Sequence, residues 1–166
     1  MIFQTEKFYV DTVEKEDLPG IVEIYNSNIN FLQAHMSRKS VDIDWIKKEI
    51  KNMKEEGFYS CKIICKKTKE IIGIIDFSLK EKCYLSLIII HNNHKKMGYG
   101  KEIYLGFEDY VKSKGARDIR IDVVTNYDRN VLKFWKVNGF NVAEKIELNW
   151  TGKILNAFIM KKRIFS

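Results

Sequence analysis

The sequence predicts one α/β domain over residues 1–166, with a mixed, mostly antiparallel sheet of about seven strands, flanking helices and a parallel β-α-β crossover at the centre. Three observations support this prediction. Short runs rich in β-branched residues alternate with amphipathic runs along the whole chain. Residues 82–125 follow the order strand, glycine loop, helix and strand, which is typical of a parallel crossover. No linker, internal repeat or low-complexity tract divides the 166 residues, a length that suits one hydrophobic core.

The first part of the chain predicts one strand and two helices. Residues 8–13 have the composition of a strand, and Asp17 is placed to cap a helix that begins at Leu18. Residues 28–41 are polar and irregular, which predicts a loop. A second helix is predicted to start near Asp42 or Asp44, shows apolar side chains at spacings of three and four, and is ended by Gly57.

The rest of the chain predicts three more strands, a helix, a strand, a helix and a final hairpin. The first two of these strands are joined by a short lysine-rich turn, and the first helix presents one apolar face before a glycine stops it. The predicted elements are strands 58–66, 70–79 and 82–90, helix 98–114, strand 119–125, helix 128–138, and strands 140–149 and 153–162.

The net charge of +7 belongs to the C-terminal half. Residues 1–83 contain 14 Lys/Arg and 14 Asp/Glu, whereas residues 84–166 contain 15 and 8. A positive field of this kind favours a polyanionic ligand. Nucleic acid is one such ligand, but the chain has no aromatic–basic pattern of an RNA-recognition motif, no zinc-finger spacing and no basic helix. A nucleic-acid partner is therefore not expected and is kept only as the less favoured alternative.

The cysteines and the apolar runs bear on the location of the protein. Cys61, Cys65 and Cys83 fall in predicted strands at a spacing that is not that of a metal site, so reduced thiols and no bound metal are expected. No apolar run approaches the ~20 residues of a membrane span. The first residues lack the charged-then-apolar pattern of an export signal. We therefore expect a cytoplasmic protein with no membrane partner.

The connection between the strand at 82–90 and the next helix is the most informative stretch. Backbone N–H groups at the start of a helix lack intrahelical partners and attract anions, and glycine allows a close approach. A Walker A loop is excluded because Lys101 is followed by Glu102, and a dinucleotide fingerprint is excluded because its third glycine would fall at Ile103. Two interpretations remain from these residues, a phosphate-binding loop and a tight turn. The motif that carries them is Gly98-Tyr99-Gly100.

Two motifs between residues 85 and 140 resemble those of the GCN5-related N-acetyltransferase (GNAT) family. The family's Asn-x-x-Ala-x-x-x-Tyr-x-x-x-Gly-Phe signature is matched at its end by Gly139-Phe140, with Asp128, Val131 and Trp135 in place of Asn, Ala and Tyr. The first half of the chain fits the family in element order only. The family's Arg/Gln-x-x-Gly-x-Gly/Ala signature after the fourth strand is matched by Lys95-Lys96-Met97-Gly98-Tyr99-Gly100.

The resemblance implies that acetyl-CoA is the acyl donor. Pantetheine would pair with the fourth strand where that strand separates from the fifth, and the pyrophosphate would lie on the amides of the glycine loop. Lys95 keeps the charge of the family's Arg without its planar fork, and Trp135 would pack against pantetheine or the core. The residues expected to bind the coenzyme are Ile88, Ile89, Ile90, Lys95, Lys96, Met97, Gly98, Tyr99, Gly100, Lys101, Asp128 and Trp135.

Acetyl transfer to an amine needs a base, a donor that polarises the thioester carbonyl, and a proton for the leaving thiolate. A backbone N–H within residues 88–90 is the expected polarising donor. Asp76, which interrupts an apolar strand, and Glu81, next to the position where the family often has a Glu, are the candidate bases. Because the second motif lacks the family's proton-donating tyrosine, Tyr84 and Tyr127 are the candidate acids. Each of these four side chains also has a purely structural interpretation.

Phe31, His35 and Trp150 are expected to line the acceptor site, because in the family the loop between the first two helices helps to form it. The acceptor should carry a primary amine on a small molecule or a peptide, and a homodimer is an open alternative to a monomer. The sequence thus predicts an acetyl-CoA-dependent N-acetyltransferase. The alternatives are a non-catalytic acyl-CoA-binding protein of the same fold and, less favoured, a nucleic-acid-binding protein.

Overall fold

The described residues form eight strands in a single sheet and five α-helices. The structure, a computed structural model, describes residues 1–125, 128–150 and 152–165, without the side chain of Trp150. The strands are β1 (Phe3–Gln4), β2 (Phe8–Thr12), β3 (Phe58–Cys65), β4 (Ile71–Ser78), β5 (Cys83–Ile90), β6 (Asp118–Val124), β7 (Asn141–Trp150) and β8 (Lys153–Arg163). The helices are α1 (Leu18–Asn26), α2 (Ile29–Met36), α3 (Ile43–Glu55), α4 (Tyr99–Ser113) and α5 (Arg129–Val137).

The sheet has the strand order β1-β2-β3-β4-β5-β6-β8-β7. Its neighbouring strands run antiparallel except for β5 and β6, which are parallel and are joined through α4. The predicted α/β class with a central parallel crossover is therefore confirmed.

Two elements differ from the sequence prediction. The short strand β1 pairs with β2, so that the described sheet has eight strands rather than about seven. The segment predicted as a loop over residues 28–41 contains α2, whose Phe31, Leu32 and Met36 are buried. The polar residues between these apolar positions concealed the helical spacing, and tertiary burial stabilises the helix.

The helices form a layer on each face of the sheet. On one face, α1, α2 and α3 pack through residues such as Leu32 and Ile46 against Ile74 and Ile89 of the sheet. On the other face, α4 and α5 pack against a second cluster that includes Ile75 of β4. Because neighbouring residues of a strand point to opposite faces, Ile74 and Ile75 each serve a different layer. Burying one such side chain contributes about 1.5–3 kcal/mol, so both layers hold the sheet in place.

The three cysteines are free thiols. Cys61 and Cys83 are buried and Cys65 is half-buried, and burial raises the pKa of the Cys61 thiol to about 12. A thiol with so high a pKa is unreactive at neutral pH. Within the described part of the chain, no helix is long and apolar enough to cross a bilayer.

Candidate functional site

A V-shaped gap opens between the two parallel strands at the centre of the sheet. Strands β5 and β6 pair at only two positions, Cys83 with Ile119 and Tyr84 with Arg120. Beyond these positions β5 continues beside β4, and β6 continues beside β8 as far as Val124. Strands β5 and β6 correspond to the fourth and fifth strands of the sequence prediction, because β1 was not predicted. The separation of these two strands that the family resemblance implies is therefore present.

A β-bulge in β5 lies directly after the last paired position and explains why the strands separate. Asp76 of β4 pairs with Leu87, whereas the next residue, Phe77, pairs with Leu85. Ser86 is thus an extra residue in β5, and it is exposed. A bulge bends its strand and increases the local twist, which turns the second half of β5 away from β6.

The second half of β5 presents a free backbone edge to the gap. Ile88 and Ile90 pair with Ile75 and Gly73 of β4 on one side. On the gap side, no strand of the described residues lies beside β5 beyond Tyr84. Backbone N–H and C=O groups on a free edge bind an extended ligand that supplies matching amides.

The loop that follows β5 is anchored to the end of α1. The Asn28 side chain donates a hydrogen bond to the Ile90 carbonyl at 3.1 Å, and the Asn92 N–H donates to the Ser27 hydroxyl at 3.0 Å. These bonds fix the start of the loop, which then turns through two left-handed residues, Lys96 at φ 64° and Gly98 at φ 78°.

The N-terminus of α4 is arranged to receive an anion. Gly98 is the N-cap and carries no side chain to cap the helix. Within the described residues, no N–H of residues 96–101 donates a hydrogen bond, so these groups and the helix dipole favour a negative ligand. The acid of the first turn, Glu102, is instead held by the Thr5 hydroxyl and the Lys7 N–H. Three exposed lysines surround this terminus: Lys95, Lys96 and Lys101.

Two other residues of this loop that are predicted to bind the coenzyme are Tyr99, which is half-buried, and Met97, which is exposed. Tyr99 packs edge-on against Phe8 with ring centroids 4.9 Å apart and so anchors the first turn of α4. The structure thus places the glycine-loop residues directly after the free edge of β5, and coenzyme contacts by these residues stay a prediction.

The residues of the second motif build α5. Asp128 is its N-cap and accepts a hydrogen bond from the Asn130 N–H at 2.9 Å. Trp135 is 9% exposed and lies in the core, in edge-to-face contact with Tyr104 and Phe140 at ring-centroid distances of 5.4 and 5.2 Å. Of the two positions expected for Trp135, the structure shows the core. Coenzyme contacts by these two residues stay a prediction.

A polar cluster closes the narrow end of the gap. Tyr84 donates a hydrogen bond to Asp122 at 2.8 Å, and Arg120 donates two more, from Nε at 3.0 Å and Nη2 at 3.1 Å. The Asp122 side chain is 4% exposed. Burial and the neighbouring carboxylate raise the pKa of the Tyr84 hydroxyl, so Tyr84 keeps its proton at neutral pH. The cluster joins β5 to β6 at the last paired position.

Asp122 and Arg120 were missed in the sequence analysis. A signal was present, because alternation along β6 places both on the face opposite to buried Ile119 and Ile121. Their partner Tyr84 belongs to another strand, and its contact could not be read from local sequence.

The two candidate bases lie away from the glycine loop. Asp76 is on β4, one strand removed from the gap, and is 5% exposed. Burial raises its pKa to about 7, although a hydrogen bond with Ser60 acts in the opposite direction. Glu81 is exposed in the turn before β5, at the opposite end of that strand from the glycine loop. Catalysis by either carboxylate stays a prediction.

The structure places the residues predicted to line the acceptor site in other elements than the sequence analysis expects. The placement of His35 in a loop is wrong, since Phe31 and His35 both belong to α2 and are buried. Their rings stack at 4.2 Å, and burial lowers the pKa of His35. Trp150 ends β7, and its side chain lies outside the described residues, as does Tyr127 altogether.

A family comparison identifies the class of protein that carries this gap and loop. The model of the acetyltransferase (GNAT) family matches residues 21–140, and the chain belongs to this family. No curated protein matches the sequence.

Solved structures share the fold over nearly the whole chain. Spermidine N-acetyltransferase from Vibrio cholerae, in complex with CoA and spermine, has a TM-score of 0.74 and 14% identity, covering 95% of this chain and 96% of its own. The acetyltransferase from Salmonella typhimurium that modifies the N-terminal serine of ribosomal protein L7/L12 has a TM-score of 0.79 and 11% identity, with 97% of each chain covered. YncA from Salmonella typhimurium, with its cofactor acetyl-CoA, has a TM-score of 0.67 and 16% identity, covering 97% of this chain and 96% of its own. Identities this low establish the fold alone.

Proposed function

We propose that this protein transfers an acetyl group from acetyl-CoA to a primary amine. The observation that carries the proposal is the gap between β5 and β6, which leads to the uncapped N-terminus of α4. Membership of the GNAT family supports the reaction class. The CoA and acetyl-CoA complexes among proteins of the same fold support the donor.

The residues present fit the chemistry of CoA. The two amides of pantetheine match the free backbone edge of β5. The pyrophosphate matches the N–H groups of residues 96–101 and the positive charge of the three lysines around them. Glu102 adds little repulsion because Thr5 and Lys7 hold its carboxylate.

The acceptor that we propose is a primary amine of a small molecule or a peptide N-terminus. The two kinds are represented by a complex with spermine and by an enzyme that modifies an N-terminal serine, both with this fold. In the reaction the amine nitrogen bonds to the acetyl carbon, the carbon–sulfur bond breaks, and the thiolate takes up a proton. A backbone N–H among Ile88, Ile89 and Ile90 would donate to the carbonyl oxygen and stabilise its developing charge.

In this proposal Tyr84 has a structural role and is not the acid that protonates the leaving thiolate. Its hydroxyl donates a hydrogen bond to Asp122, and its raised pKa makes it a poor proton donor to a thiolate. We assign it the positioning of β5 against β6 at the narrow end of the gap. Tyr127 remains the predicted acid, and Asp76 and Glu81 remain the predicted bases.

The first experiment measures thermal unfolding with acetyl-CoA and CoA, with NAD and ATP as controls. A ligand at about 100 times its dissociation constant adds about 2.7 kcal/mol, which raises the Tm by roughly 5–10 °C for a domain of this size. A shift with acetyl-CoA and CoA but not with NAD or ATP is expected. Equal Tm values in all four solutions would contradict coenzyme binding, and the nucleic-acid alternative would then be tested by the salt dependence of RNA and DNA affinity.

A matched pair of glycine variants separates coenzyme binding from folding. Gly98 and Gly115 flank α4, both have positive φ (78° and 91°), and a Cβ at either position would meet no heavy atom within 4 Å. Gly98→Ala and Gly115→Ala should therefore lower stability similarly, by about 1 kcal/mol. Only Gly98→Ala adds a methyl group beside the proposed pyrophosphate site, so only that variant should lose the Tm shift with CoA. Equal shifts in both variants would remove the glycine loop from the site.

Turnover is measured by release of the CoA thiol with a panel of amines that includes spermidine and peptides with a free N-terminus. If Asp76 or Glu81 is the base, Asp76→Asn or Glu81→Gln should lower kcat by roughly a hundredfold or more without loss of CoA binding. Unchanged kcat in both variants would exclude both bases. Binding of CoA with no thiol release for any amine would support the non-catalytic alternative.

A further inference from the structure

The last strand of the sheet presents a long backbone edge to solvent. Strand β7 has ten residues and pairs with β8 on one side. Within the described residues, no strand lies on its other side. The opposite end of the sheet differs, because β1 has two residues only, and so short a strand is a poor template for pairing. Strand β7 is therefore the outer strand of the sheet that can accept a further strand.

Alternate residues of β7 direct their backbone groups away from β8. The Asn156 carbonyl on β8 accepts a hydrogen bond from the Thr125 N–H at 2.9 Å, so the backbone groups of Asn156 point toward β6. Glu147 lies opposite Asn156. Because the two residues of such an antiparallel pair point away from each other, the N–H and C=O groups of Glu147 point out of the sheet. Lys145 and Asn149 have the same orientation, because the alternation has a period of two.

Two opposite charges flank an apolar side chain at the middle of this edge. Lys145 and Glu147 are exposed and share one face of β7, whereas Ile146 is half-buried and lies on the other face. Within the described part of the chain, neither Lys145 nor Glu147 forms an ion pair. Read in the opposite direction, the order basic, apolar, acidic becomes acidic, apolar, basic. The edge is therefore complementary in charge to a second copy of itself that runs antiparallel.

We propose that the protein forms a two-fold symmetric dimer in which β7 pairs with β7 of a second copy. The axis passes between the two Ile146 residues, which lie opposite each other. Lys145 of each copy then lies opposite Glu147 of the other, and symmetry forms both ion pairs at once. These two residues direct their backbone groups outward, so each of these pairs also exchanges hydrogen bonds across the interface. The result is one continuous sheet through both copies.

The charges select this register over its neighbours. The next registers that use the same outward backbone groups place Glu147 opposite Glu147 or Lys145 opposite Lys145, and like charges directly opposite destabilise a strand pair. The proposed register pairs opposite charges twice, and its next pair, Glu144 with Leu148, brings no like charges together. A closed dimer also covers the edge of both copies, so the association stops at two.

The proposed dimer does not depend on acetyl transfer. Strands β8 and β6 lie between β7 and the gap beside β5, so the dimer leaves the proposed coenzyme site open. The experiments below use the protein without coenzyme or amine. Their result is therefore independent of whether the proposed reaction occurs.

The first test is sedimentation equilibrium of the coenzyme-free protein at concentrations up to about 500 µM, because one strand pair is a small interface. We expect a reversible dimer. Lys145→Glu and Glu147→Lys should each raise its dissociation constant roughly tenfold or more, since each change creates two like-charge contacts. The double variant Lys145→Glu/Glu147→Lys should restore the wild-type affinity. Lys51→Glu, an exposed change on α3, is the matched control and should dimerise as the wild type does.

The two single variants also control for net charge. Lys145→Glu lowers the net charge and Glu147→Lys raises it, so a general charge effect would not weaken the dimer in both. Three outcomes would overturn the proposal. They are a wild type that is monomeric at every concentration, single variants that dimerise as the wild type does, and a double variant that is no stronger than the single ones.

The second test examines the register by a disulfide. The two Ile146 residues form a pair without hydrogen bonds, whose Cα atoms lie about 4.5 Å apart, a distance that a disulfide spans. Ile146→Cys should therefore cross-link on mild oxidation and run as a dimer in non-reducing electrophoresis. Leu148→Cys is the matched control, because Leu148 is also half-buried and would face Glu144 of the second copy. No cross-link in Ile146→Cys, or equal cross-linking in both variants, would overturn the proposed register.

Discussion

The buried carboxyl group of Asp76 makes a prediction about stability that can be worked out in full. Burial raises its pKa from 3.8 to about 7 in the folded protein, whereas the unfolded chain has the ordinary value. Between these values the folded state keeps a proton that the unfolded state has lost, so unfolding releases a proton and a rise in pH favours unfolding. The stability associated with this group is fully present below about pH 4 and is lost as the pH rises to about 7.

The magnitude follows from the size of the shift. About three pH units at about 1.4 kcal/mol each give roughly 4 kcal/mol. Asp76→Asn removes the titrating group and keeps the shape of the side chain. The variant should therefore gain stability over the wild type as the pH rises, until it is ahead by roughly 4 kcal/mol at pH 8 relative to their difference at pH 4.

The assay is urea unfolding of both proteins from about pH 4 to about pH 8, with the difference in unfolding free energy plotted against pH. Contributions from all other titrating groups cancel in that difference. Asp109→Asn, an exposed Asp-to-Asn change on α4, is measured alongside as the matched control for the chemical change itself. A flat difference for Asp76→Asn as well would refute the argument, because the carboxyl group would then titrate alike in the folded and unfolded states.

Three further predictions concern the sheet and its neighbours. Gly73→Ala should destabilise the protein by about 1–3 kcal/mol in urea unfolding, because its Cβ would lie 2.6 Å from the Ile89 carbonyl oxygen, and an unchanged urea midpoint would contradict the close approach of β4 and β5. Asp122→Asn should cost about 1–3 kcal/mol, since it weakens the bonds from Tyr84 and Arg120, and an unchanged urea midpoint would mean that this cluster does not stabilise the pairing of β5 with β6. Trp135→Ala should cost about 3–5 kcal/mol in urea unfolding, because its ring packs against Tyr104 and Phe140, and an unchanged urea midpoint would contradict its place in the core.

Local patterns were sufficient to predict the crossover and the glycine loop. Helix starts depend on neighbours in sequence, and Asp42, one of the two predicted starts of α3, caps the helix by accepting a hydrogen bond from the Trp45 N–H at 2.8 Å. Asp17 precedes α1 as predicted but accepts no capping hydrogen bond from it. The turn into α4 likewise depends on Gly98, whose left-handed φ of 78° is a property of one residue. For this reason the strand-loop-helix order of the proposed coenzyme site could be predicted from the sequence alone.

Contacts between distant parts of the chain could not be predicted in this way. The bulge at Ser86 depends on how β5 pairs with β4, and no residue type near Ser86 predicts a bulge. The burial of α2 depends on the sheet beneath it, which is why Phe31 and His35 were expected in a loop. Asp76 was conspicuous in an apolar strand, but its surroundings come from two helices and a neighbouring strand.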